Sequence, residues 1–141
     1  MNITSLVLSL ASVFCIAAAL LHFTCIPWGA EGYRFLGAGE DVAKAVAAGD
    51  WRPHISAVVV GSLLIVGAVY ALSAAGFISS LPFLRPVLFF FAAIFIFRAL
   101  AFPLLKPMFT GNSELFWLVS STMVGALELL FLVGAILLSK A

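Results

Sequence analysis

Charged side chains are scarce in this sequence: aspartate, glutamate, lysine and arginine make up 9% of its 141 residues. Soluble domains carry about 25% charged and about 45–50% apolar residues, whereas 65% of this chain is hydrophobic. A soluble fold of this length could not bury so much apolar surface, so we expect an integral membrane protein with lipids as its surroundings. The formal net charge of +1 provides no basic patch of the kind that binds nucleic acid, so we expect no such partner.

Cysteine and histidine are also rare, with two of each. Cys15 and Cys25 lie about 15 Å apart if they share a helix, too far for a disulfide, so both are predicted to be free thiols. By residue type, His22, Cys25 and His54 could suit a metal or haem, but their spacing is not diagnostic. We therefore expect neither a metal nor another cofactor.

Four long apolar runs indicate an all-α membrane protein. Each has about the 20 residues that a transmembrane helix needs. They predict a single domain over residues 1–141, a bundle of four transmembrane helices at roughly 3–25, 54–79, 83–105 and 114–138.

The one long polar segment, residues 28–53, separates the first two runs. Within it, 40–48 has acids in the first turn and predicts a short amphipathic helix on the membrane surface. The glycine-rich stretch before it predicts tight turns, with Glu31 and Arg34 lining an entrance beside His54.

Two prolines set expected helix ends. Pro27 is predicted to end the first helix. Pro103 is predicted to kink the third near its end, because proline lacks the N–H that the helix needs.

A charged pair inside the apolar runs is the best candidate for a functional site. Arg98 and Glu128 both lie within predicted spans, where an arginine near the bilayer centre costs about 3 kcal/mol. We expect them to interact, with Ser121, Tyr70 and His22 as further polar groups of a ligand site. No catalytic residue can be assigned.

Three functions fit this pattern. The first is binding or transport of a small or lipid-like ligand around Arg98 and Glu128, by a homo-oligomer because four helices leave little room for a path. The second is a structural or assembly subunit, in which the pair only locks helices. The third is a membrane-embedded enzyme acting on an apolar substrate. We favour the first hypothesis.

Short motifs resemble a known group of sequences. They are the junction Leu-His-Phe-Thr-Cys-Ile-Pro-Trp-Gly at 21–29, the glycine-rich loop through Gly37, the turn Leu-Pro-Phe-Leu-Arg at 81–85, and Arg98 followed by Ala99. Together they resemble a family of small, mostly bacterial, four-helix membrane proteins with no established function. The resemblance implies a multi-pass protein of the bacterial inner membrane and no assigned activity.

Overall fold

The computed structural model describes residues 2–140, and this part of the chain is helical, with no strand. The α-helices are α1 (Ile3–Trp28), α2 (Ala30–Phe35), α3 (Glu40–Ala47), α4 (Arg52–Ala74), α5 (Leu84–Leu100), α6 (Phe102–Leu105) and α7 (Glu114–Lys140). A 3₁₀ turn, Lys106–Met108, follows α6. The predicted all-α class is confirmed, and so is the short helix that begins at Glu40.

Three helices, α1, α4 and α7, are long and apolar enough to cross a membrane. The third apolar run is not one regular helix. It forms α5 and then Phe102–Met108, with a bend of 60° between them, either as a broken span or as a re-entrant loop. Pro103 explains the break near Ala101, because its nitrogen cannot donate to the carbonyl of Ala99 and its ring crowds that turn.

The first helix extends further than its proline predicted. Asn2 begins it by accepting a hydrogen bond from the backbone N–H of Ser5 at 2.8 Å. The helix then continues through Pro27, and it ends where Gly29 takes a positive φ of 74°. The N–H of Gly29 closes the last turn by donating to the Cys25 carbonyl at 3.0 Å. A proline so near the end removes only one hydrogen bond, so the helix tolerates it.

Helix α4 ends at Ala74, five residues before the predicted end of the second span at 79. It ends there because Ser73 forms hydrogen bonds with the connection that follows. The hydroxyl of Ser73 donates to the carbonyl of Ser79 at 2.9 Å and accepts from the N–H of Leu81 at 2.9 Å. This buried side chain holds the connection to α5 against the end of α4.

The long helices meet as antiparallel neighbours. In the α1–α4 pair, Ser5 donates to the carbonyl of Ala75 at one end, and Phe23 packs against Gly61 at the other. The α5–α7 pair is joined by Arg85, which donates to the carbonyl of Leu138. Helices α1 and α7 also pack together, whereas α4 and α5 meet over a smaller area.

The centre of the core is aromatic. Phe131 of α7 is fully buried, and its ring centre lies 5.5 Å from those of Phe91 and Phe95 on α5. Leu8 of α1 fills the space over Gly134, where any side chain would overlap it. The core therefore fixes the depth at which α1 and α5 meet α7.

Candidate functional site

Arg98 lies in the last turn of α5 and contacts α7 across the interface between the two helices. Its Nη2 donates to the hydroxyl of Ser120 at 3.1 Å. Its guanidinium carbon lies 5.6 Å from the ring centre of Trp117, which is buried. An arginine over an indole face gains cation–π attraction, and more so where water is excluded.

Two buried polar atoms in this part of α5 and α7 have no partner within residues 2–140: Nη1 of Arg98 and the hydroxyl oxygen of Ser121, the residue after Ser120. Trp117, Ser120 and Ser121 lie three and four residues apart, so they occupy neighbouring positions one turn along α7. A buried polar group without a partner costs about 1–3 kcal/mol. Arg98 as a whole is half-buried, so the site is not sealed.

Arg98 does not lie at mid-depth among the long helices. It is two residues from the end of α5, and Ser120 is six residues into α7, a rise of about 9 Å. A cation at a helix C-terminus is favoured by the helix dipole, and insertion costs fall towards the membrane interface. Placing Arg98 in the membrane at this position therefore costs less free energy than its place within the apolar run implies.

Glu128 lies deeper and apart from Arg98. It is 7% exposed and eight residues beyond Ser120, a rise of about 12 Å along α7. The expected ion pair with Arg98 is not formed, because the nearest antiparallel partner of Arg98 is Ser120 rather than Glu128.

The other polar residues expected at the site are distributed elsewhere. Nδ1 of His22 donates to the carbonyl of Ala18 within α1 at 2.8 Å. Tyr70 is half-buried on α4, and no hydrogen bond to its hydroxyl is found in the described part of the chain. Neither residue is hydrogen-bonded to Arg98, so the structure separates these groups.

A second polar cluster holds α2 against the ends of α1 and α4. The Tyr33 hydroxyl and Nδ1 of His54 are hydrogen-bonded at 2.7 Å. The thiol of Cys25 donates to the carbonyl of His22 at 2.9 Å. Burial raises the pKa of Tyr33. Both cysteines are free thiols, as predicted. Among the described residues, no three His, Cys, Asp or Glu side chains form a metal-binding group.

The glycine-rich segment between α1 and α3 packs against the link between the 3₁₀ turn Lys106–Met108 and α7. Arg34 donates to both carboxylate oxygens of Glu40 at 2.9 Å, and it also pairs with Glu31. These hydrogen bonds from Arg34 hold the pKa of Glu40 below its usual value. The N–H of Glu40 donates to the carbonyl of Thr110 at 2.8 Å. A cavity of about 80 Å³ remains between the two segments, lined by Arg34, Gly39, Glu40, Thr110, Gly111 and Asn112.

Aromatic rings connect the contact between the glycine-rich segment and the link before α7 to Trp117, which lies beneath Arg98. Gly37 packs on the ring of Phe116. The ring centre of Trp117 is 5.8 Å from that of Phe116 and 6.4 Å from that of Phe109. Arg34 is therefore on the same side of the helices as the Arg98 contact, and the aromatic layer separates them.

Sequence reasoning missed Trp117 and Ser120, although one signal could have found them. Arg98 lies seven residues before the predicted end of its run at 105. In an antiparallel pair, it should face residues about seven places after the start of the next helix. This position falls at Ser120 and Ser121, well before Glu128.

Comparisons of the chain with protein-family models, with curated proteins and with solved structures find no match.

Proposed function

We propose that this protein is a four-span bundle that binds or transports a small or lipid-like ligand at the Arg98 site. We define that site as Arg98, Trp117, Ser120 and Ser121, and we count α5 with α6 as one broken span. The observation that carries the proposal is the buried Nη1 of Arg98, which has no acceptor among the described residues.

The break in the span supports a binding role. Helix α5 ends at Leu100, where the N–H of Ala101 still donates to the carbonyl of Phe97, but Pro103 has no N–H to donate to the carbonyl of Ala99. Broken helices in membrane proteins place free backbone groups beside bound ligands and ions. In this proposal Glu128 is a second, deeper polar position on the same helix.

The proposal includes an inner-membrane location and a homo-oligomer. Only 28–33% of the residues in the most apolar windows of α1, α4 and α7 are buried. A large apolar surface is thus left for lipid or for a second copy. An oligomer would also enlarge a path that four helices alone leave narrow.

A structural or assembly subunit is the second candidate, favoured by the contacts that Arg98 already makes. Its hydrogen bond to Ser120 and its position over Trp117 tie α5 to α7 without any ligand. The two candidates differ in what each predicts for the purified protein.

The test is native mass spectrometry of the protein extracted in mild detergent, with Arg98→Met and the control Arg85→Met. Arg85 is an exposed arginine at the opposite end of α5. We expect a stoichiometric small molecule or lipid on the native protein and on Arg85→Met, and its loss from Arg98→Met. A stoichiometric foreign protein, with no small ligand, would favour the assembly role instead.

A further inference from the structure

We infer that the ligand is an anionic amphiphile, with a phosphate or carboxylate head group at Arg98 and an apolar chain in the adjacent lipid. The inference rests on the proposed function, and it adds the charge, the shape and the direction of entry of the ligand.

The sign of the charge follows from the donors. The guanidinium of Arg98 is permanently charged and has only donors, and Nη1 has no acceptor in the part of the chain described. The hydroxyl of Ser121 can donate as well, and it too lacks a partner there. Paired guanidinium donors fit the oxygens of phosphate and carboxylate better than any neutral group.

The groups that contact the guanidinium of Arg98 are uncharged, so an anion could still pair with it. The partner of Nη2 is the hydroxyl of Ser120, and the ring under the guanidinium is that of Trp117. No carboxylate within residues 2–140 pairs with Arg98. The partial negative charge at the C-terminus of α5 offsets part of the charge of Arg98, and the remainder is available to a ligand.

An apolar surface begins where the polar site ends. Ile94 lies one turn before Arg98 on α5 and is 40% exposed, and Met123 lies one turn after Ser120 on α7 and is 59% exposed. Both turns lead away from the bend and towards the middle of the long helices. A chain attached to a head group at Arg98 would thus run over Ile94 and Met123 into the hydrocarbon region.

Entry from the lipid is favoured over entry from water. The aqueous side carries Phe109 and Phe116 packed on Trp117, with Gly37 over Phe116. Because neighbouring side chains cover Nη1, a head group reaches it when the half-buried Arg98 side chain turns outward.

The experiment measures affinity by native mass spectrometry and by the rise in melting temperature in a neutral detergent. The probes are phosphatidylglycerol and oleate as anionic amphiphiles, phosphatidylcholine as a zwitterionic control, and inorganic phosphate and acetate as soluble anions. The variants are Arg98→Gln and Ser121→Ala, with Arg85→Gln as the matched control on α5.

We expect an anionic amphiphile to bind the native protein and Arg85→Gln with similar affinity. Arg98→Gln should weaken binding at least about tenfold, since charge-assisted hydrogen bonds contribute about 1.5–3 kcal/mol. Ser121→Ala should weaken it by a smaller factor. The soluble anions and phosphatidylcholine should bind far more weakly.

Four results would overturn the inference. Arg98-dependent binding of phosphatidylcholine would exclude the anionic class, and equal binding of free phosphate or acetate would exclude the amphiphile; the proposed function survives both. Absence of any ligand on a stable native protein would overturn both proposals. If Arg98→Gln does not fold, an unchanged affinity in Ser121→Ala decides against the inference.

Discussion

Asn112 donates from its side-chain amide to the carbonyl oxygen of Gly37 at 2.9 Å, across 75 positions of sequence. The same amide donates to the carbonyl of Phe109 at 3.2 Å. This side chain thus joins the glycine-rich segment to the link before α7. The contact also requires glycine at position 37, because a side chain there would overlap the ring of Phe116.

Gly37→Ala should destabilise the protein more than Gly49→Ala. Both glycines have a positive φ, 74° and 87°, so either alanine costs about 1–2 kcal/mol of backbone strain. A methyl group at Gly37 would also overlap the Phe116 ring, whereas Gly49 has open space. We expect an additional loss of about 1–3 kcal/mol at Gly37 from overpacking.

Unfolding by denaturing detergent, followed by circular dichroism, measures both glycine variants against the native protein. The comparison is matched because each change adds one methyl group at a positive φ. Equal losses at the two positions would show that Gly37 does not pack on Phe116 in the membrane protein.

Acid should loosen the glycine-rich segment. Arg34 lowers the pKa of Glu40 in the folded protein, so the carboxylate stabilises the fold above the unfolded pKa of about 4.3. That contribution disappears as the pH falls through the lower, folded pKa. The N–H of Glu40, which donates to Thr110, should therefore lose protection against hydrogen exchange below about pH 4.

Hydrogen exchange with mass spectrometry of peptides covering residues 37–42 tests this, after correction for the intrinsic pH dependence of exchange. Glu40→Gln should show low protection at every pH, because its neutral amide cannot form the ion pair. Asp41→Asn is the control, since Asp41 is exposed and should keep the native profile. A native profile in Glu40→Gln would contradict the assignment.

Tyr33→Phe should cost about 1 kcal/mol, because it removes the hydroxyl that is hydrogen-bonded to His54. Tyr70→Phe is the matched control. The Tyr70 hydroxyl has no hydrogen bond in the described structure, so this change should stay within about 0.5 kcal/mol. The two free energies of unfolding are compared in the same detergent. A larger loss at Tyr70 would contradict the structure, because it would show that the Tyr70 hydroxyl has a hydrogen-bond partner in the folded protein.

The sequence predicts the parts of this fold that depend on local chemistry. Long apolar runs indicated the long helices, acids after a glycine indicated α3, and Pro103 indicated the break after α5. Helix α2 was missed, because six residues between glycines show no periodic pattern. It is held instead by tertiary packing: Gly32 lies against the backbone of Cys25, with no space for a side chain.

The partner of Arg98 could not be read from residue types. Charge alone favoured Glu128, but pairing depends on the depth and rotation of two helices. Both are set by packing of Phe91 and Phe95 on Phe131 and by the break at Ala101. These contacts place a serine, not a carboxylate, opposite the guanidinium.

Double-mutant cycles can separate the two possible partners of Arg98. One cycle combines Arg98→Leu with Ser120→Ala, and the other combines Arg98→Leu with Glu128→Met. The hydrogen bond between Arg98 and Ser120 predicts a coupling energy of about 1 kcal/mol. Because Glu128 lies about 12 Å further along α7, its coupling to Arg98 should stay within about 0.5 kcal/mol.

The measured quantity is the free energy of unfolding of each single and double variant in one detergent. Ser121→Ala serves as a control for Ser120→Ala, since both remove one hydroxyl from adjacent positions of α7 but only Ser120 accepts from Arg98. If Arg98 and Glu128 instead form a helix-locking pair through water, replacing both should restore stability that either change removes. A rescue of that kind, with no coupling at Ser120, would reject the Arg98–Ser120 contact and with it the site on which the ligand proposal depends. Additive losses at Glu128 with coupling at Ser120 would leave Glu128 as a separate polar position, buried in α7 and independent of the guanidinium.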